Sequence, residues 1–320
     1  LTPEVRGSDI AASSGVFLIA ASFPMHHDLT SNRSRFITYA IISSVLSSVA
    51  TLFKVQGVRH IPPVLAAAGG VFVAGLLALV LLAITRNLPS WDAMKRVRVP
   101  LVKVAFLRSV CSNMIFTVGL AYTTGVEAVF LTKMEPYLVI FWAWTLDKRR
   151  PSGNHLALLV VHLLGAVLLS VGDKGFSGGV SWFGDLIIVT AVVTAALSYR
   201  YAPQVTKVLN PMQAACLGEL LGGIATLPIA LAFSPLVFGP EQQLGWMYVG
   251  VHAILFYILA MSFLYASLGG IEGWLSSALR ATGPVVATPI AFLFFGETLS
   301  PLQLVGALVV VVTSGIISRK

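Results

Sequence analysis

Charge is scarce in this 320-residue chain, where only 11% of residues are Asp, Glu, Lys or Arg. A soluble domain carries about 25%, so the polar side chains needed to cover a globular surface are missing. The deficit runs the whole length, with 57% of residues hydrophobic and gathered into apolar blocks between short polar stretches. A soluble enzyme, a disordered chain and a fibrous repeat are thereby excluded, and a multi-span membrane protein is expected. Cysteine is scarcer still. Cys111 and Cys216 lie inside apolar runs without CxxC or metal-ligand spacing, so both read as reduced packing residues. Nucleotide and zinc-protease signatures are lacking as well: there is no GxGxxG, Walker loop or HExxH, and no cofactor or metal is expected.

What is present is apolar length. Spanning a hydrocarbon core of about 30 Å takes about 20 residues of helix. Ten segments reach or approach that: Phe36–Phe53, Pro62–Thr85, Leu101–Tyr122, Val126–Leu146, Leu156–Val171, Phe183–Tyr201, Pro211–Phe233, Trp246–Leu268, Trp274–Phe295 and Leu302–Ile317. The expected fold is an all-α membrane protein with ten transmembrane helices. Residues 1–35 do not fit the pattern, because Val16–Phe23 is too short to span and His26, His27 and Asp28 follow closely. They are expected to form a cytoplasmic leader, interfacial or disordered. The adjacent imidazoles of His26 and His27 lack further ligands for a metal.

The net charge of +8 comes from 21 Lys and Arg against 13 Asp and Glu. Nucleic-acid binding would gather such an excess on one face, whereas a membrane protein keeps it on the cytoplasmic side. Loops after even-numbered spans, which share a side with both termini, hold Arg86, Lys95, Arg96, Arg98, Lys148, Arg149, Arg150 and Lys207. Arg33 and Arg35 precede the first span, Arg319 and Lys320 follow the last, and Arg200 lies beside the same end of span 6. The opposite side holds Arg59 and Lys174, with Lys54 at the end of span 1. Both termini are therefore expected in the cytoplasm, with no nucleic-acid partner, and the formal sequon Asn32-Arg33-Ser34 stays unmodified. A bacterial inner membrane is favoured over a eukaryotic organelle.

The prolines reveal an internal repeat. Pro62 and Pro211 are 149 positions apart, Pro136 and Pro284 are 148 apart, and Pro151 and Pro301 are 150 apart, as are Gly165 and Gly315. The run Leu120–Glu127 resembles Leu264–Glu272. Each half contains five spans, an odd number, so the second half must enter the membrane in the opposite orientation. The charges agree. The basic residues of Asp147–Arg150 have no counterpart in Gly296–Thr298, and the loop Arg86–Arg98 corresponds to Ser234–Gly245, which holds no Lys or Arg. Two inverted five-helix repeats are expected at 36–171 and 183–320, joined by a linker at 172–182. Inverted repeats of this kind build secondary transporters.

The chain resembles the drug/metabolite transporter superfamily, in particular its EamA-type members. The second copy of the shared pattern reads Tyr265, Gly269, Leu279, Gly283-Pro284, Phe295-Gly296-Glu297, Pro301 and Gly306. The first reads Tyr122, Gly125, Leu131, Glu135-Pro136, Pro151 and Gly165, and departs from it at Asp147-Lys148. The resemblance implies ten helices around a central cavity, helices 5 and 10 at the periphery, and alternating access between two half-bundles. It says little about substrate.

Ionisable residues inside spans cost roughly 2.5–3.5 kcal/mol each at the helix centre. Here they are Lys103, Arg108, Lys133, Glu135, Glu219 and Arg280. Lys103 is close enough to a boundary to snorkel. Glu127 and Glu272 lie beside helix starts, where the positive helix end favours a carboxylate. Lys133 and Arg280 precede Pro136 and Pro284 by three and four residues, equivalent places in the two halves, and are expected to meet near the midplane. Glu135 lies about 200° around the helix from Lys133 and is expected to pair with Arg108, leaving Lys133 to the cavity. The sugar-phosphate translocators of plastids, distant relatives in the superfamily, are similar in carrying basic residues on helices 4 and 9. Tyr137, one turn beyond Lys133, and Ser277, three residues before Arg280, complete the candidate substrate site. A purely structural role, with these bases paired to buried carboxylates, stays open. His162 and His252, each alone in an apolar span, are expected to be helix-packing residues.

The expected function is a secondary transporter moving a small organic metabolite with a carboxylate or phosphate group by alternating access, as an antiporter, with the lipid bilayer as surroundings and a monomer or homodimer as its state. An exporter of amino acids or other neutral or zwitterionic metabolites is the alternative. A membrane-embedded enzyme would require paired carboxylates or a His cluster at one interface, and a channel would require a continuous polar stripe. Neither pattern is found.

Overall fold

In a bilayer each backbone donor and acceptor must be satisfied inside its own segment, so the apolar blocks become helices. The computed structural model describes residues 33–120, 122, 131–132, 134–148, 152–171, 182–280, 282–283 and 300–319, and among them there is no strand. Helices α1 (Arg33–His60), α2 (Pro63–Ile84) and α3 (Trp91–Gly119) are followed by α4 (Glu135–Asp147), α5 (Gly153–Val171) and α6 (Trp182–Ser198). After a short helical piece at Ala202–Thr206 come α7 (Pro211–Phe233), α8 (Pro240–Ser267), α9 (Gly273–Arg280) and α10 (Pro301–Arg319). Six of these, α1, α2, α3, α7, α8 and α6 with its extension, are long and apolar enough to cross a membrane. The rest of predicted spans 4 and 9 lies largely outside the described residues, as do the leader before Arg33 and most of the 172–182 linker.

Several helices overrun the apolar blocks that mark them. α1 continues past Phe53 to His60, and α3 starts at Trp91, so that Lys95, Arg96 and Arg98 lie on its early turns rather than in a loop. Hydropathy locates the segment inside hydrocarbon, while the helix ends where its caps are. The Ser90 hydroxyl accepts from the Ala93 amide at 3.2 Å at the start of α3, and Asn210 and Gln213 form a reciprocal capping box at the start of α7.

The two halves repeat with a steadier register than the prolines give. α2 and α7 start at Pro63 and Pro211, and α5 and α10 span Gly153–Val171 and Pro301–Arg319, all 148 positions apart. α3 and α8 each contain a π-helical stretch, Ala105–Ser112 and Ala253–Ala260, again displaced by 148. The offsets of 149 and 150 arise because Pro62 caps α2 from outside and Pro151 lies before α5 begins. In this register Lys148 corresponds to Gly296. Lys148 has φ of 59°, the left-handed conformation that glycine adopts at least cost when it closes a helix.

Small residues set the tightest packing. A β-carbon on Gly75 would stand 2.5 Å from Leu220 Cα, and one on Gly223 would strike the Phe72 backbone, so α2 and α7 touch main chain to main chain. α5 and α10 pack chiefly against each other: His162 Nδ1 lies 2.8 Å from Thr313 Oγ1, and Gly165 faces Val309 and Gly306. Their other sides present Val160, Leu164, Leu308 and Val312 outward, as helices facing lipid should. At one end of the bundle Arg200 pairs with Asp147 at 2.9 Å, and Gln213 Nε2 donates to the Asn87 carbonyl at 2.9 Å. The segment ends bearing Arg86, Lys148, Arg200 and Lys207 are thereby gathered together, and Arg59 lies at the other end of α1.

Candidate functional site

The middle of the bundle holds a polar cluster contributed by four helices. Glu135 opens α4, where the positive helix end favours a carboxylate. Arg108 projects from the π-helical stretch of α3, and Ser277 and Arg280 share one face of α9 at i, i+3 spacing. Arg280 Nη1 donates to Glu135 Oε2 at 3.4 Å and to the Tyr199 hydroxyl at 2.9 Å. Tyr199 and Ser277 donate to the same oxygen at 3.1 and 3.3 Å. Arg108 Nη2 lies 3.9 Å from Glu135 Oε1 while its Nη1 donates to Ser198 Oγ at 3.3 Å, and its guanidinium stacks 5.4 Å from the centre of the Tyr199 ring. Both arginine side chains are 11% exposed and that of Glu135 15%. One carboxylate thus sits between two guanidinium groups, and Arg280 Nε is buried without a partner among the described residues.

Of the residues proposed from sequence, Arg108, Glu135, Ser277 and Arg280 are brought together. The Glu135–Arg108 approach is present, and Arg280 shares the same carboxylate. Tyr137 is not part of the cluster. It lies two positions from Glu135, about 200° around the helix, and its hydroxyl donates instead to the Leu159 carbonyl on α5. Lys133 lies outside the described residues. Tyr199 and Ser198 complete the cluster without having been singled out, because an aromatic near the end of a span ordinarily reads as an interfacial anchor.

A second cluster adjoins the first. Lys54 is not at a helix end: it lies within α1, is 8% exposed, and donates to Asn113 Oδ1 at 2.9 Å. The Tyr257 hydroxyl donates to the same oxygen at 2.7 Å, and Asn113 Nδ2 reaches the Ala67 carbonyl at 3.2 Å. Glu219 on α7 is 3% exposed and faces Lys54 and Arg108, with Ser109 packed against Gly222 one turn along, so Arg108 links the two groups. Asn113 was the signal available in sequence, a carboxamide deep in an apolar run. His252 Nδ1 lies 2.9 Å from the Ala50 carbonyl and its ring stacks on Phe256, so it packs helices as its isolation suggested.

Among the described residues no three His, Cys, Asp or Glu side chains gather as metal ligands. Gly175–Gly179 formally has GxSxG spacing and lies outside the described residues, among which there is no strand to form the strand-to-helix turn of a nucleophile elbow. A mainly apolar cavity of about 470 Å³ between α3 and α6, lined by Met114, Ile115, Val118, Leu186, Ile187 and Thr190, has no charged side chain in its lining.

A helical bundle with apolar outer faces, with Arg108, Glu135, Glu219 and Arg280 enclosed within it and further charges at its ends, defines a multi-pass integral membrane protein. The chain belongs to the EamA-like transporter family, whose model matches it twice, over residues 34–171 and 182–319. It is 24% identical over 278 residues to "Uncharacterized transporter YetK" of Bacillus subtilis (strain 168), covering 85% of this chain and 82% of that one. A solved structure reported as "Crystal structure of protein" shares the fold, with a TM-score of 0.74 at 17% identity over 89% of this chain and 96% of that one.

Proposed function

We propose that this protein is a secondary carrier for a small organic metabolite with a carboxylate or phosphate group, which it moves by alternating access between its two half-bundles. The observation that carries this reading is Glu135 held between Arg108 and Arg280. The donors around that carboxylate, two guanidinium groups with Tyr199 and Ser277, are those a substrate oxyanion would require. Glu135 fills the site as an internal anion, and an incoming anion competes with it for the two arginines. The described buried charges support an anion over a cation: Lys54, Arg108 and Arg280 outnumber Glu135 and Glu219. The paired π-helical stretches, one carrying Arg108 and one carrying Tyr257, support a moving element in each half, since π-bulges often occur at functional sites.

The test is counterflow in proteoliposomes over a panel of radiolabelled phosphate esters, mono- and dicarboxylates and zwitterionic amino acids. Saturable exchange of anions, competed by other anions, is the expected result. Exchange confined to neutral or zwitterionic compounds would favour the amino-acid alternative, and product formation without flux would replace a carrier with an enzyme.

Both termini are proposed to face the cytoplasm, with a bacterial inner membrane as the setting. The gathering of Arg86, Lys148, Arg200 and Lys207 at one end supports this, because retained Lys and Arg mark the inner side. After Cys111 and Cys216 are replaced, a single cysteine at position 148 should react with a membrane-impermeant maleimide only from the inside. Labelling from outside would overturn the inverted topology.

A further inference from the structure

Glu219 is not absorbed by the anion site. It is 3% exposed, and its Oε2 has no hydrogen-bond partner among the described residues. Among the described residues no lysine or arginine nitrogen comes within 4.0 Å of it. A lone carboxylate at membrane depth is costly, and a proton removes the charge that makes it so. The surroundings, however, do not force the neutral form. Lys54 from α1 and Arg108 from α3 face it as basic groups, and Ser109 packs against Gly222 one turn along the same helix. From α8 it is faced by Tyr257 and Tyr265, with Cys216 on its own helix. α2, packed tightly alongside, contains no titratable residue. Lys54 does not neutralise it by contact, because its ammonium is engaged by Asn113 at 2.9 Å and lies 5.3 Å from the centre of the Phe116 ring. Ionised and protonated forms are therefore each supported by half of the environment, which is the condition for a group that exchanges its proton.

From this geometry we propose that Glu219 is the coupling-ion site of the carrier: a proton from the aqueous phase adds to its unpartnered Oε2 and leaves again on the other side. The coupling follows from Arg108, which faces both carboxylates. An anion bound between Arg108 and Arg280 adds negative charge beside Arg108, and Glu219 then loses part of the positive field that keeps it ionised. Anion binding favours proton uptake, and by linkage proton uptake favours anion binding to the same degree. One negative charge and one proton cross together, leaving the buried charge as it was. The coupling rests on the transporter reading, whereas proton exchange at Glu219 does not.

The decisive measurement is infrared difference spectroscopy of the full-length protein in lipid vesicles, titrated with pH and repeated in D₂O. The expected result is the carbonyl stretch of a buried carboxylic acid that grows as pH falls, is absent in Glu219→Gln and changes frequency in Glu219→Asp. Should Glu219→Gln fail to fold, the frequency change in Glu219→Asp decides alone. A missing band, a band that persists unchanged in the variants, or one present at every pH would overturn the proposal. For any anion exchanged in counterflow, an inward proton gradient should drive accumulation above the outside concentration in wild type and not in Glu219→Gln. Downhill exchange that no proton gradient can drive would also overturn the coupling. If no compound of the panel is exchanged while the band titrates, the carrier reading fails and the proton site stands.

Discussion

Replacing Arg280 with lysine should weaken binding of the transported anion by roughly ten- to a hundredfold although the positive charge is kept. One Arg280 nitrogen bonds both the Tyr199 hydroxyl at 2.9 Å and Glu135 at 3.4 Å, while its buried Nε, which has no partner among the described residues, is the donor expected to meet the anion. A lysine offers a compact point charge in place of that planar fork. Hydrogen bonds to charged groups contribute about 1.5–3 kcal/mol each, and losing one corresponds to about the stated loss in affinity. The loss should appear mainly in the half-saturating concentration of counterflow. Lys133→Ala is expected to weaken binding further, because the sequence repeat gives Lys133 the place in the first half that Arg280 has in the second. Arg280→Lys keeps the buried charge and Lys133→Ala removes one, so both variants should insert and fold, with thermal unfolding close to wild type. Normal transport by both variants, or loss of folding in both, would leave the arginine with a structural role only.

Six of the expected spans were legible among the described residues, because hydropathy and length are direct demands of the bilayer. Their ends were not. α1 runs on through Lys54, Gln56 and Arg59 to His60, since a helix within a bundle can turn polar residues toward its neighbours. That error concealed Lys54, which reads as a terminal snorkelling residue until Asn113 and Tyr257 are found beside it. The repeat was legible to within two positions. Proline marks helix starts loosely, as a cap at position 62 or at the first turn at position 211, and only the paired π-helical stretches fix the register at 148.

Within the site, charges could be read but their partners only in part. A buried arginine requires a counter-charge, and with so few acids in the spans Glu135 was the evident candidate for Arg108. That one carboxylate would serve two arginines could not be read from spacing, because α9 and α4 are separated by more than a hundred residues and meet only on folding. Tyr199 was hidden for the same reason. Tyr137 shows the opposite error: a polar group one turn from an expected ligand was given a role, whereas the helix turns it toward α5.

Removing the anion at the centre should cost more stability than removing either cation. In Glu135→Ala, Arg108 and Arg280 would face one another across the space the carboxylate occupied, both only 11% exposed and without it to bridge them. Deleting one partner of a buried ionic group costs about 3–5 kcal/mol, because the remaining charge stays buried and uncompensated. Glu135→Gln keeps the shape and one acceptor oxygen but not the charge, so it should fall between Ala and wild type. Thermal unfolding in lipid nanodiscs would read the order directly. The same variant tests the site's chemistry, because the two arginines then form an empty anion site. A transported anion supplied at a hundred times its dissociation constant should return about 2.7 kcal/mol to Glu135→Ala, and a cation of similar size should return nothing. An anion that fails to stabilise Glu135→Ala, while the variant is as unstable as expected, would mean that the cluster holds α3, α4 and α9 together and binds no substrate. If the anion restores stability, the position of Glu135 is the position of the substrate, and its displacement is the first step of transport.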